Sequence, residues 1–140
     1  MKKRVGDPGR RLRVFVLDSE ALSLAVRGDR MMIARLKLAA AGEAEVVASP
    51  MTLVESYDGR TTEQRWDWVL SRISVADIGK DEARQARRLL ADTGLHGHKY
   101  AIDAVLAVIA RQQTGQVTVF TSDVDDLERL VPDRIVVKKV

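Results

Sequence analysis

Four carboxylates in this chain, Asp18, Glu55, Asp103 and Asp123, stand where their surroundings invite chemistry. Asp18 follows the short apolar run VFVL, and Asp123 follows VTVFTS, so each is the acid at the carboxyl tip of an apolar, β-branched segment. In an open parallel sheet that tip is where ligands bind. The bland alternative is that each merely caps the helix after it, because Asp is a favoured N-cap. Asp103 lies in YAIDAVLAVIA, a helix apolar almost all the way round and therefore buried. A buried carboxylate is costly if it stays charged and alone. It must protonate, meet a cation, or sit at the helix start, where backbone N–H groups help it; a place in the first turn permits the last. Arg111 lies two turns on, too far to pair, so a charged Asp103 needs a metal or a lysine from elsewhere. Glu55, in the helix PMTLVESYD, shares its apolar stripe only in part and by itself reads as a surface residue.

Brought into one pocket, these four would repel, and some would hold a proton unless a divalent cation joined them. Carboxylate ligands with waters suit Mg2+ or Mn2+ and not zinc. Two such ions about 4 Å apart activate a water and stabilise the leaving oxygen of a phosphodiester. That chemistry requires no histidine or cysteine, in keeping with a chain that has two histidines and no cysteine.

The elements that must position these groups alternate in type. Strands are expected at VFVL (14–17), EVVAS (45–49), ISVADI (73–78), VTVF (117–120) and RIVVK (134–138). Helices are expected over Ser19–Val26, over MMIARLKLAAA after an Asp29 N-cap, over PMTLVESYD opened by Pro50, and over TEQRWDWVLSR from Thr62. Further helices are expected over Lys80–Ala91, Tyr100–Gln113 and Ser122–Leu130, with GLHGHK as a glycine-containing loop. Strands alternating with helices imply a parallel sheet covered on both faces, with right-handed crossovers.

With 140 residues, 46% hydrophobic and 31% charged, the chain fits one globular domain. No apolar run approaches the roughly 20 residues of a membrane span. The basic N-terminus lacks the apolar stretch of an export signal, and the absence of cysteine is compatible with a cytoplasmic protein. The pI near 9.4 is deceptive. Residues 1–13 hold six basic side chains against Asp7 alone, a net of +5, which leaves −2 for residues 14–140 out of the whole-chain +3. The expected organisation is a basic, flexible arm over 1–13 and a single domain over 14–140. Such an arm either touches RNA or is a solvated tail.

VLDSEAL around Asp18, TLVES around Glu55, YAIDAVLAVIA around Asp103 and VFTSDVDDL around Asp123 together resemble the PIN domain. Chain length and motif order resemble the VapC-like ribonuclease toxins of bacterial type II toxin–antitoxin pairs. The resemblance runs from Val14 to Val137. It implies a PIN-like three-layer α/β/α sandwich with a central, mostly parallel, Rossmann-like sheet. It also implies a Mg2+- or Mn2+-dependent endoribonuclease with RNA as substrate, a small inhibiting antitoxin protein, and a homodimer. Asp18, Glu55, Asp103 and Asp123 would take the four acidic positions, with Asp18, Asp103 and Asp123 on the metal. Ser19 agrees with the hydroxyl residue that often follows the first acid. Thr121 would take the hydroxyl position two residues before the last acid, orienting a carboxylate or water, and Asp126 would be a supporting acid or part of the following helix. The basic arm before the first strand is longer than this family pattern.

Other features have bland readings beside functional ones. Lys99 and Arg27 lie close in sequence to the acids and are the candidate RNA contacts. His96 and His98 could bind metal or shuttle protons, or simply occupy a solvated loop. Lys80, Arg84, Arg87 and Arg88 share their helix with Asp81, Glu82 and Asp92, the pattern of a solvated face. Trp66 and Trp68, two apart, face different sides of a helix, one toward the core and the other a candidate contact surface. Two rival functions remain. A haloacid-dehalogenase-type phosphatase would use Asp18 as nucleophile but wants Asp where Glu20 stands. A non-catalytic PIN-like binding module would not need the intact acidic set.

Overall fold

Val14, Phe15, Val16 and Leu17 are all buried, although successive strand residues point to opposite faces. Their strand, β1 (Arg13–Leu17), is therefore covered on both sides, as a central parallel strand must be. The computed structural model describes residues 12–140. β1 pairs in parallel with β2 (Ala44–Ala48) on one side and β4 (Gln116–Thr121) on the other. β3 (Ser74–Val75) lies beyond β2 and β5 (Val136–Lys139) beyond β4, giving an all-parallel sheet of order β3-β2-β1-β4-β5. The chain builds outward from β1 to β3, then crosses to the other side of β1 to lay down β4. That reversal makes the gap between β1 and β4 the topological switch point.

Among the described residues seven helices cover the sheet: α1 (Ser19–Val26), α2 (Arg30–Ala40), α3 (Pro50–Glu55), α4 (Glu63–Leu70), α5 (Lys80–Thr93), α6 (Gly97–Gln112) and α7 (Val124–Leu130). Phe15, Leu17, Val46 and Phe120 bury one sheet face against Leu22, Leu36, Trp66 and Val69 of α1, α2 and α4. Val14, Val16, Val117 and Val119 bury the other against Leu89, Leu106, Ile109 and Leu127 of α5, α6 and α7. The expected three-layer α/β/α architecture is observed.

Several boundaries differ from expectation, two of them with physical consequences. The strand expected over 73–78 is only Ser74–Val75, paired with Val47 and Ala48. β2 ends at Ala48, so an edge strand has nothing further to pair with. The helix α6, which carries Asp103, starts at Gly97 rather than Tyr100, absorbing half of the expected GLHGHK loop. Tyr100 N–H already donates to the His96 carbonyl at 3.0 Å, which closes the first turn. α3 ends at Glu55, short of the expected Asp58, because the Asp58 carboxylate takes the Arg60 and Thr61 N–H groups and turns the chain. β5 likewise starts at Val136, two residues later than expected. The arm expected over 1–13 lies outside the described residues apart from its last two, and of these Arg13 opens β1.

Candidate active site

Asp18 is the first residue past β1, and its N–H still donates to the Phe120 carbonyl at 3.0 Å, holding it against β4. Its side chain is 8% exposed and caps α1, Oδ1 accepting from Ala21 N–H at 2.9 Å. Oδ2 accepts from Ser122 N–H at 3.0 Å, 104 residues away. Burial pushes this carboxyl above its usual range, while hydrogen bonds from Ala21, Thr121 and Ser122 hold it partly down. Asp18 is thus both a helix cap and a pocket residue.

Thr121, the last residue of β4, is wholly buried between two acids. Its hydroxyl is hydrogen-bonded to Asp18 and accepts from Asp123 N–H at 2.9 Å. Asp123 stands at the N-cap position of α7 without making a side-chain cap bond, so its exposed carboxylate is left to the cleft. The first turn of α7 adds half-buried Asp126.

Asp103 is the seventh residue of α6, not part of its first turn. The earlier helix start removes the option of support from free backbone N–H groups. Its carboxyl is pushed up to about 6, first by burial and then by Asp123, Asp126, Asp18 and Glu55. One carboxylate oxygen from each of Asp103, Asp123 and Asp126 lies within 4.8 Å of the other two.

A cleft of about 150 Å³ collects these groups, lined by Asp18, Ser19, Glu55, Lys99, Asp103 and Asp123 along with Thr52, Ile102, Leu106 and Ser122. It opens at the carboxyl ends of β1 and β4, the switch point itself. Glu55 closes α3, and its position is tied to α1 by its neighbour: the Ser56 hydroxyl donates to the Ser19 carbonyl at 3.0 Å. Lys99 is the one cation among the lining residues and stands one helical turn before Asp103, yet it makes no ion pair among the described residues. A base placed N-terminal to its acid is the weaker helical arrangement.

Arg27 is not brought to the cleft. It ends α1 with its guanidinium 3.2 Å from Glu20, both side chains about half exposed. Glu20, the position a dehalogenase-type phosphatase would use as acid, is thus engaged by Arg27 and does not line the cleft. His96 and His98 are exposed and line no part of the cleft. Trp66 is buried, whereas Trp68 is half-buried beneath Arg72, 4.1 Å from its ring.

Sequence reasoning missed Thr52. It is fully buried on α3, three residues before Glu55, and its hydroxyl has no hydrogen-bond partner among the described residues. Its spacing from Glu55 was the available signal, since residues three apart share a helix side.

The strand order, the helices on both faces and the acidic cleft at the switch point define a PIN-like α/β domain. Among solved structures, a chain in the crystal structure of VapBC2 from Rickettsia felis bound to a DNA fragment from their promoter has this architecture. It matches with a TM-score of 0.64 and 16% identity, over 91% of this chain and 98% of that one. At that identity the likeness is one of fold. No protein-family model matches the chain, and no curated protein matches it. Among the described residues, no helix is long and apolar enough to cross a membrane.

Proposed function

We propose that this protein is a divalent-cation-dependent endoribonuclease of the VapC type, kept inactive by a small antitoxin protein. The observation that carries the reading is the convergence of Asp103, Asp123 and Asp126 within 4.8 Å of one another, beside Asp18 and Glu55, at the switch point of a PIN-like sheet. An uncompensated cluster of this kind raises its own proton affinity, as Asp103 does. A donor set made only of carboxylate oxygens fits Mg2+ (or Mn2+) rather than a softer metal. Asp103, Asp123 and Asp126 would hold the ion, with Asp18 at the back of the cleft. Such a cation supplies a water activated at neutral pH and neutralises charge developing on a phosphodiester.

The chain's own residues supply the rest. Thr121 fixes Asp18 and the Asp123 backbone through one hydroxyl, so the two acids keep their spacing. Lys99 at the rim offers an ammonium to a non-bridging phosphate oxygen. Glu55, exposed at the end of α3 and lining the cleft, would accept a proton from an attacking water. On α3 and just past its end, Met51, Val54 and Tyr57 are 43%, 71% and 67% exposed, an apolar group close in sequence to Glu55. A group of this kind suits a protein partner, either the antitoxin or a second copy in a homodimer.

Cleavage of RNA should occur with Mg2+ and fail with EDTA or in Asp103→Asn. Equal cutting under all three conditions would reject the reading. Trapping a phosphoaspartate on Asp18 would instead establish the phosphatase alternative.

A further inference from the structure

A second feature has the opposite charge. Between α2 and the β4–β5 side of the sheet run two adjoining hollows of about 370 and 230 Å³. They share Met31, Arg35, Phe120 and Lys138, so together they form one trough along α2. Arg13 lines one end and Lys139 the other. Arg35 lies flat on the floor, 4.2 Å from the Phe120 ring, with one nitrogen donating to the Met31 carbonyl at 3.0 Å. None of these four cations has a carboxylate within ion-pair reach among the described residues. The one acidic side chain on the lining, Asp29, is engaged by Met32 N–H.

The trough is joined to the acidic cleft through the sheet. Lys139 is in register with Thr121, and Val140 N–H donates to the Thr121 carbonyl at 3.1 Å. Thr121 is the residue whose hydroxyl holds Asp18. The Lys139 end is therefore one strand spacing, about 4.8 Å, from the cleft wall. At the Arg13 end the basic character continues in sequence, with Lys2, Lys3, Arg4, Arg10 and Arg11 preceding it.

We propose that this trough carries the phosphate backbone of a single RNA strand that runs past the cleft. The proposal rests on the nuclease reading above and adds the path of the substrate to it. A row of cations without carboxylate partners among the described residues, set along an open trough with an apolar floor, fits single-stranded nucleic acid. An acidic protein segment would match the charge, but the cleft that would hold a scissile phosphate is one strand away.

Binding of a labelled single-stranded RNA is measured by fluorescence anisotropy against salt concentration, in EDTA so that nothing is cut. Each phosphate contact on a single strand contributes about 0.7 to the log–log salt slope, so Lys138→Gln with Lys139→Gln should lower it by about 1.4. Arg84→Gln with Arg88→Gln removes the same charge from α5, in the opposite layer, and should leave the slope unchanged. On the unmutated protein, bound RNA should shield Lys138 and Lys139 from acetylation but not Lys80. An unchanged slope in the β5 pair, an equal fall in both pairs, or no shielding would overturn the assignment. Tighter binding of oligoglutamate than of RNA would give the trough to an acidic protein segment instead. Failure of the two ideas is separable: RNA binding that passes these tests without Mg2+-dependent cutting removes the nuclease reading. Cutting of a trinucleotide with unaltered slopes removes only the trough.

Discussion

Replacing Asp103 by Asn should make the metal-free protein more stable while abolishing its response to Mn2+. In the folded protein the Asp103 carboxyl is raised from its ordinary 3.8 to about 6 by burial and by four neighbouring acids. Ionising it at neutral pH therefore costs folding free energy. At about 1.36 kcal/mol per pH unit the full gap is worth about 3 kcal/mol. The group is only half-buried, and solvent screening reduces this to roughly 1–2 kcal/mol. The sign follows from linkage. Between 3.8 and about 6 the folded state binds more protons than the unfolded state, so stability falls as pH rises through that window. Asn carries no such penalty. In EDTA at pH 7.5, Asp103→Asn should melt roughly 3–8 °C above wild type. The gain should shrink below pH 6 and vanish below 3.8. Saturating Mn2+ should stabilise wild type by about 2.7 kcal/mol at a hundred times its dissociation constant, and leave the variant unmoved. A variant that melts at or below wild type in EDTA would refute the electrostatic reasoning. A persistent Mn2+ shift in the variant would refute the assignment of Asp103 to the cation.

Two further substitutions separate structural from chemical roles around the same cleft. Asp18→Asn should do the reverse of Asp103→Asn. Its amide must turn an NH2 toward either the Ala21 or the Ser122 N–H, which leaves a buried donor unpaired at about 1–2 kcal/mol, read as a lower urea midpoint. Equal or greater stability would show that those bonds contribute nothing. Thr52→Val keeps the shape of a fully buried side chain and removes a hydroxyl with no partner, so stability should rise by roughly 1 kcal/mol, seen as a higher melting temperature. Destabilisation would mean that the hydroxyl has a partner after all.

Much of this arrangement was legible because local sequence carried it. VFVL and VTVF are continuous apolar runs with a polar residue at one end, and that pattern placed Asp18 and Asp123 at strand tips. Asp29 before MMIARL and Thr62 before EQRW cap their helices as their chemistry dictates, at 3.1 and 3.2 Å. What was not legible depends on partners. The length of β3 is set by where β2 ends, which ISVADI cannot encode. Gly94 and Gly97 made GLHGHK look like a loop, yet Gly97 stands at the first helical position, where glycine's cost is smallest, and Asp103 moved a turn deeper as a result. Asp126, within DVDDLERL, looks like any exposed helical acid until α6 is packed against α7. Thr52 has no local signature of importance, because an unpaired hydroxyl is a property of its surroundings.

The bond from Ser122 N–H to Asp18 joins chain positions 104 residues apart, and the closest acidic trio adds Asp126 to Asp103. β1 is made early, but its second neighbour, β4, comes only after α6. During synthesis, therefore, β4 and the start of α7 must leave the ribosome before the cleft can exist. Asp18 emerges with neither Thr121 to orient it nor the acids of α7 opposite. Whatever chemistry the cleft performs, it cannot begin until the last third of the described fold has emerged. The topology thus ties assembly of the cleft to the late elements of the fold, whatever the order in which the earlier ones form.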